Sequence, residues 1–563
     1  MRAELAFGAP KAWHRLDAAT MPGVRIAIAQ LDLTISDLDG ARHAIRLASV
    51  QARDQGCDLL LTPELAAFGG YPPRDLLDRP ALVQQQWAMV QALAAEVAVP
   101  TLVGCVEPLE PGVGPALGNC LVLLRGGQIE ASYRKRLLPT YDVFDERRHF
   151  RPGDRPCVIK IAGVRVGLSV CEDIWSADFT GIAYHQDPVA DLAGRCDVLV
   201  NASASPWHLG KPAVRHRLLH AVAKRIGAPV VYVNQVGGHD ELLFDGDSAA
   251  IAPDGSWLGA APRWQAGIWT IDLVARVPAP AEADPLDDLH SALVTGIRDY
   301  CAKTGQRRLV LGLSGGIDSA LVAALGADAL GPAAVTGLLM PGPFSSPGSL
   351  TDAHALAKAL GITAHEVPIS GLYTQSLAAL APVTGGSPQG LTCENLQSRL
   401  RGTLVMAAAN QLGAMALTTG NKSELACGYC TIYGDMNGGL APIGDVYKTT
   451  VWALSRHLNQ RAGAERIPVA SIDKAPSAEL RENQTDQDSL PPYPVLDRIL
   501  QAFLEDRHDR NAIVATGEDP ATVDRVLRLV EVSEFKRRQA APALRVSRKA
   551  FGMGRRIPLA RRF

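Results

Sequence analysis

The chain reads as an α/β protein of two domains, and three observations carry that reading. Short apolar strands alternate with helical segments over most of its length. A Pro/Ala/acidic run interrupts the alternation after residue 276. Beyond it, a strand, a glycine turn and a helix start follow one another directly around residue 312. The 563 residues allow two or more sizeable cores, and 47% hydrophobic with 20% charged residues is globular composition.

Taken in order, residues 1–21 carry no clear periodicity and precede the first strand; they read as an N-terminal extension or a start-site artefact, with Met21 a second start. Apolar runs at residues 24–30, 59–62, 101–106, 164–170, 198–201 and 230–234 read as strands. Residues 39–56, 82–97 and 212–226 read as helices between them. These elements define a first domain, 22–276, followed by a linker at 277–286. Helix-forming residues resume over 287–303, and strands follow at 309–313, 334–340 and 415–419, giving a second domain, 287–563.

The formal net charge of −2 points to neither nucleic acid nor membrane as partner. Ten scattered cysteines in a chain this large suit a reducing compartment better than a disulfide scaffold. No apolar stretch reaches spanning length and no signal peptide is visible, so the expected location is cytoplasmic.

Gly312-Leu313-Ser314-Gly315-Gly316-Ile317-Asp318-Ser319 joins a strand to a helix. Its glycines allow backbone N–H groups close approach to an anion, its serines add hydroxyl donors, and the helix start adds a favourable dipole. The loop has the chemistry of a phosphate cradle, yet Asp318 stands where a Walker loop would place lysine. An acid beside phosphates requires a bridging divalent cation. The loop resembles the SGGxDS motif of the ATP pyrophosphatases, which implies ATP cleaved to AMP and pyrophosphate.

Three patterns stand out in the first domain. Leu59-Leu60-Leu61-Thr62-Pro63-Glu64 is a buried strand ending in a carboxylate suited to proton transfer. Lys135 lies in a cationic segment after a strand. Val164 to Val170 alternates and delivers Cys171 at its end, where a sharp turn would expose the sulfur. Singly, these are a helix-start acid, a solvated lysine and a small core residue. Together, in the order Glu, Lys, Cys, they resemble the carbon–nitrogen hydrolase (nitrilase) superfamily. That resemblance implies an α-β-β-α sandwich in which Glu64 deprotonates Cys171, the thiolate attacks an amide carbon and Lys135 stabilises the oxyanion.

Phe144-Asp145-Glu146, Phe150-Arg151-Pro152-Gly153 and Asn201-Ala202-Ser203-Ala204-Ser205-Pro206 resemble segments of the glutaminase domain of glutamine-dependent NAD synthetases. By that resemblance Glu146 orients Lys135, and Tyr141, Ser205 and Lys211 hold glutamine. The alternative for Ser205 and Lys211 is a helix N-cap and a surface cation.

In the second domain, residues 394–402 (ENLQSRLRG), 418–424 (TTGNKSE), 433–450 (beginning YGDMNGG) and 534–539 (EFKRRQ) are similar in order and spacing to the synthetase half of the same family. The resemblance implies a Rossmann-like parallel-sheet ATP-pyrophosphatase domain. Asp318 and Glu424 would bind Mg²⁺, and Thr419 with residues 312–319 would bind ATP. Asn395, Glu424, Lys536 and Lys448 would bind deamido-NAD, Lys448 reaching the dinucleotide or the ATP phosphates. Taken alone, Lys536 to Arg538 would read as a solvated helix face. Cys427 and Cys430 form a lone C-x-x-C with no second pair nearby and read as incidental.

The function implied is a ligase acting on small molecules, with Mg²⁺, ATP, deamido-NAD and glutamine. A homo-oligomer built on a synthetase-domain dimer is expected by resemblance. Neutral ammonia would be the nucleophile and is mostly protonated in neutral water, so a water-poor passage for it is expected as well. A glutamine amidotransferase of the same type acting on another acid, and a scaffold that has lost activity, remain the alternatives.

Overall fold

The computed structural model describes residues 23–562; the extension expected at 1–21 lies outside them. The chain divides into two units. The first runs to Pro206 and takes in Gly210–Gly237 and Phe244–Glu282; the second comprises Trp207–Leu209, Gly238–Leu243 and the chain from Ala283 on. The first unit is therefore not the unbroken stretch 22–276. The reason is main-chain pairing within the second unit: Leu209 N–H donates to Val546 O at 2.9 Å and Arg545 N–H to Glu241 O at 2.8 Å. Residues 278–284 are coil; Val277 still bridges Trp257, and the next helix starts at Pro285, capped by the Asp284 carboxylate.

The first unit holds two six-stranded sheets. One runs Gly267–Asp272, Arg25–Gln30, Leu59–Leu61, Thr101–Pro108, Leu117–Arg125, Gln128–Arg134. The other runs Trp257–Ala260, Ala249–Ile251, Val230–Asn234, Val198–Ser203, Val164–Val170, Val158–Ile161. Strand alternation makes the layers. Ile26, Ile28, Leu61 and Leu102 pack against Val166, Leu168, Val170 and Val200 between the sheets. Their neighbours Ala27, Ala29, Leu60 and Val103 face Ile45 and Ala48 of helix Leu38–Asp54 and Val90 and Leu93 of helix Pro80–Leu93. Leu199, Val230 and Tyr232 face Leu218, Leu219 and Val222 of helix Lys211–Ile226 on the other side. Ala27 and Ala29, being small, let helices Leu38–Asp54 and Pro80–Leu93 sit close to the first sheet. The result is an α-β-β-α sandwich.

The second unit is built on a four-stranded sheet in the order Thr363–Glu366, Val335–Leu339, Leu309–Gly312, Met415–Ala416. Every pair is parallel. The strand order reverses beside Leu309–Gly312, so a crevice opens at its carboxyl end, where open α/β sheets bind ligands. The last strand is shorter than the 415–419 expected. Leu417 pairs instead with Leu440, and Thr418 N–H donates to Leu440 O at 3.0 Å, which turns Thr418 and Thr419 out of the ladder. Among the described residues no helix is long and apolar enough to cross a membrane.

Candidate active sites

Glu64 follows strand Leu59–Leu61, Lys135 follows Gln128–Arg134 of the same sheet, and Cys171 ends Val164–Val170 of the other. Lys135 Nζ donates to Glu64 Oε1 and to Glu146 Oε1, both at 2.7 Å. The three side chains are at most 3% exposed. Glu64 also accepts from Asn119 Nδ2 at 2.7 Å and, through Oε2, from Ala204 N–H at 3.1 Å. The turn expected after the strand exists: Cys171 has φ +41° and opens a short 3₁₀ turn, Cys171–Ile174. Its thiol is not exposed, however; Cys171 is 3% accessible, because it packs into the core between the sheets.

Asp173 fixes that turn. Its carboxylate accepts from Val170 N–H (3.0 Å), Arg136 N–H (3.0 Å), Leu137 N–H (2.9 Å) and Tyr133 O–H (2.8 Å). It thereby ties the cysteine elbow to the segment that bears Lys135. Burial pushes the Cys171 thiol well up, the Glu64 carboxylate adds to the push, and Lys135 opposes it. Burial alone would lower the Lys135 ammonium, but Glu146 and Glu64 outweigh it and hold the cation firmly charged. Two carboxylates around one buried cation leave a surplus negative charge. Burial and that surplus push Glu146 up to about 8 despite Lys135.

Beside Cys171 lies a second buried acid, Glu172. It accepts from Tyr184 O–H at 2.8 Å and from Tyr141 O–H at 3.1 Å. Burial raises its pKa, opposed by Lys135, both tyrosine hydroxyls and Lys211. Lys211 Nζ sits 4.0 Å over the Trp175 ring, so it is a packed cation. Gly210, not Ser205, caps helix Lys211–Ile226. Ser205 is buried, and its N–H donates to Asn234 Oδ1 at 2.8 Å. Tyr141, Glu172 and Lys211 therefore surround one polar spot next to the thiol.

Asn119, Glu172, Asp173 and Tyr184 do not stand out in the sequence reading. A lone asparagine in the apolar strand Leu117–Arg125 and two acids directly after Cys171 are signals that could have found the first three. Tyr184 lies in coil and carries none.

In the second unit a cavity of about 1000 Å³ opens at the sheet crevice. All of residues 312–319 except Gly315 line it, as do Thr419, Asn395, Glu424, Lys448 and Lys536. Gly315 has a different task. It has φ +77°, and a Cβ there would lie 2.2 Å from Ser349 O, so no other residue fits. Gly316 caps helix Ile317–Leu330. Asn421 and Glu424 form a capping box, Glu424 N–H donating to Asn421 Oδ1 at 3.0 Å and Asn421 N–H to Glu424 Oε2 at 3.2 Å. Asn421 Nδ2 also donates to Asp318 Oδ1 at 2.9 Å. The Lys448 ammonium contacts Asp318 and lies 3.5 Å from Glu424 Oε1.

Burial, then Asp318 and Asp486, push Glu424 up to about 8 against the pull of Lys448. Three acids around one lysine are short of positive charge, which is the condition a divalent cation relieves.

Lys536 Nζ donates to Gly428 O at 2.6 Å and Cys430 O at 2.7 Å. Arg537 is buried and paired with Glu534 at 2.9 Å. Lys536 and Arg537 are thus not solvated, while Arg538 is half exposed. Asn395 Oδ1 accepts from Thr431 Oγ1 at 2.9 Å. Burial pushes the thiols of Cys427 and Cys430 up to about 12, the opposite of a reactive redox pair. The polar segment after Asn483 is anchored through Asp486, 4% exposed and accepting from Tyr493 O–H at 2.7 Å.

Fold and sites together define a class: a nitrilase-type amide-cleaving unit fused to a nucleotide-binding synthase unit. Residues 25–279 match the carbon-nitrogen hydrolase family and residues 289–540 the NAD synthase family. The chain is 45% identical to a glutamine-dependent NAD(+) synthetase of Synechocystis sp. over 96% of its length and 99% of the relative's. It is 42% identical to one from Xanthomonas campestris over 96% and 98%. The solved structure of glutamine-dependent NAD+ synthetase from Acinetobacter baumannii in complex with adenosine diphosphate is 35% identical, with a TM-score of 0.76, covering 96% of this chain and 98% of that one. The chain belongs to the glutamine-dependent NAD(+) synthetase family.

Proposed function

We propose that the protein forms NAD⁺ from deamido-NAD, taking nitrogen from glutamine and energy from ATP cleavage to AMP and pyrophosphate. The observation that carries the first half is the Lys135 ammonium held between Glu64 and Glu146 at the Cys171 elbow. Cys171 rests as a neutral thiol, since burial and three neighbouring carboxylates disfavour the thiolate. Its proton passes to Glu64 as sulfur attacks the side-chain amide carbon of glutamine. Negative charge develops on the amide oxygen, where the Lys135 ammonium offsets it. The C–N bond then breaks, Glu64 returns the proton to nitrogen, and ammonia leaves a γ-glutamyl thioester. Water, deprotonated by Glu64, hydrolyses the thioester to glutamate. Tyr141, Ser205 and Lys211 hold the substrate. The buried Glu172 carboxylate is suited to the α-ammonium and Lys211 to the α-carboxylate.

In the second unit the helix start after Gly316 and the 312–319 loop hold ATP with Thr419. Asn395, Lys448 and Lys536 hold deamido-NAD, Lys448 also offsetting phosphate charge. The nicotinate carboxylate attacks the α-phosphorus, pyrophosphate leaves, and ammonia displaces AMP from the acyl adenylate. Asp318 and Glu424 are the residues that would hold Mg²⁺, and the raised pKa of Glu424 fits them to it. A bound Mg²⁺ supplies charge neutralisation for the phosphates.

The test is NAD⁺ formation from deamido-NAD, ATP and glutamine, with AMP and pyrophosphate counted. Activity on another carboxylic acid but not on deamido-NAD would favour the broader amidotransferase reading. No pyrophosphate release with any acid would exclude both and leave the inactive scaffold.

A further inference from the structure

Lys422 lies inside the TTGNKSE motif, and no step above uses it. It is wholly buried. Its ammonium is 3.0 Å from Asp445 Oδ1 and 3.2 Å from Glu505 Oε1. It donates to Ser547 Oγ at 2.6 Å and to Lys549 O at 3.0 Å, and sits 4.6 Å over the Tyr447 ring.

Asp445 is held from the same side. Its carboxylate accepts from Val546 N–H (2.9 Å), Ser547 N–H (2.7 Å) and Ser547 O–H (2.8 Å). The segment that supplies these donors begins further back: Ala441 N–H donates to Pro542 O at 2.8 Å, and Ala441 pairs with Ala543 in parallel. The match to the NAD synthase family ends at residue 540. The strap 542–549 therefore lies beyond that match, yet its polar groups converge on a lysine within it.

Two cavity-lining acids lie close to Lys422. Asn421, which holds Asp318, directly precedes it, and Glu424 stands two residues after it. Lys422 N–H donates to Val446 O at 2.9 Å, joining the turn of Glu424 to the turn of Lys448. Ser423 Oγ accepts from Lys448 N–H at 3.0 Å and donates to Asp497 Oδ1 at 2.5 Å.

We propose that Lys422 is a positioning residue for the synthetase reaction: by clamping Asp445, Glu505 and Ser547 of the C-terminal strap, it fixes the spacing of Asp318, Glu424 and Lys448. Lys422 touches no substrate. It acts through the residues on either side of it. A buried ammonium with two acids and a hydroxyl is costly to assemble unless its geometry matters, and here it joins the two turns that carry charge into the cavity.

This rests on the synthetase reading above, and the test separates the two. Full-length wild type, Ser547→Ala, Lys422→Arg and Lys422→Met are assayed for NAD⁺ formation with ammonium chloride as nitrogen donor. ATP binding is measured by calorimetry without acceptor, and thermal midpoints are recorded alongside. Ser547→Ala removes two charge-assisted hydrogen bonds, one from Lys422 and one to Asp445, and leaves the buried charges paired. It is expected to lower kcat about tenfold and weaken ATP binding by a similar factor, with KM for deamido-NAD unchanged. Lys422→Arg is expected to recover most of the loss seen in Lys422→Met. Ser547→Ala with wild-type kcat and ATP affinity overturns the positioning role. So does a loss of activity that tracks the thermal midpoint alone. A wild-type protein inert with ammonium and with glutamine alike overturns the synthetase reading itself.

Discussion

Glu146 Oε1 and Lys135 Nζ meet at 2.7 Å in a site where neither is more than 3% exposed. Of the two carboxylates, Glu64 acts more strongly on the Cys171 thiol. In the mechanism proposed above, Glu146 directs the cation. Glu146→Gln keeps the shape and removes the charge, leaving Lys135 paired with Glu64 alone. A charge-assisted hydrogen bond is worth about 1.5–3 kcal/mol, so glutamine-driven kcat is expected to fall about 10- to 100-fold with little change in KM for glutamine. Steady-state kinetics with glutamine checks this. A rise in KM at constant kcat would move Glu146 from orienting the cation to holding the substrate.

Cys171→Ala removes the proposed nucleophile and little else, since the elbow is held by the Asp173 carboxylate through Val170, Arg136 and Leu137 N–H groups. Synthesis from glutamine is expected to vanish while synthesis from ammonium chloride survives. Equal loss with both donors would show that the labour is not divided as proposed.

How much of this was legible in the sequence follows from what each signal depends on. The strand at 24–30 was legible as an apolar run, but the two faces of Ile26 and Ile28 against Ala27 and Ala29 are seen only in the fold, and the sandwich itself was implied by the family resemblance. Glu64, Lys135 and Cys171 stood out through their order beside strand ends, which resembles that of the nitrilase superfamily; singly each reads as an ordinary residue. Glu172 and Tyr184 did not stand out, because their pairing spans a coil with no period. The antiparallel pairing of Arg25–Gln30 with Gly267–Asp272 escaped for a related reason: it joins the two ends of the first unit, and no local pattern encodes a contact so distant. The displaced segments Trp207–Leu209 and Gly238–Leu243 likewise follow from pairing with residues near 545, which no composition shift marks.

Gly315→Ala should act on the synthetase half alone. The residue needs φ +77°, and the new Cβ would stand 2.2 Å from a main-chain oxygen of Ser349. The positive φ costs about 1 kcal/mol. The clash adds more, and it cannot be relieved without moving either the ATP loop or helix Pro347–Leu360. Ammonium-driven synthesis is expected to fall at least tenfold with a raised KM for ATP. Gly331 is the control. It also has positive φ (+85°), but a Cβ there would meet nothing within 4 Å, so Gly331→Ala should leave the ATP dependence untouched.

Glu424 offers a test in which stability and activity part company. Its folded pKa is raised from 4.5 to about 8, burial being the largest cause and Asp318 the next. The folded protein therefore binds more protons at this site than the unfolded chain between those two values. By linkage, the contribution of Glu424 to stability is largest below about 4.5 and falls as pH rises to about 8. Glu424→Gln keeps the capping box, since glutamine serves at that position as well as glutamate. It removes the ionisation, so it does not share the decline. The difference in thermal midpoint, variant minus wild type, is expected to be small at pH 5 and to grow steadily up to pH 8. NAD⁺ formation at pH 8 should be lost in the same variant, because the carboxylate that weakens the fold is the one proposed to hold the cation that neutralises the phosphates. Thermal melts across that range, with the ammonium-driven assay beside them, measure both. Midpoint curves that run parallel would mean that Lys448 already satisfies Glu424, and the case for a divalent cation at this carboxylate would fall with it.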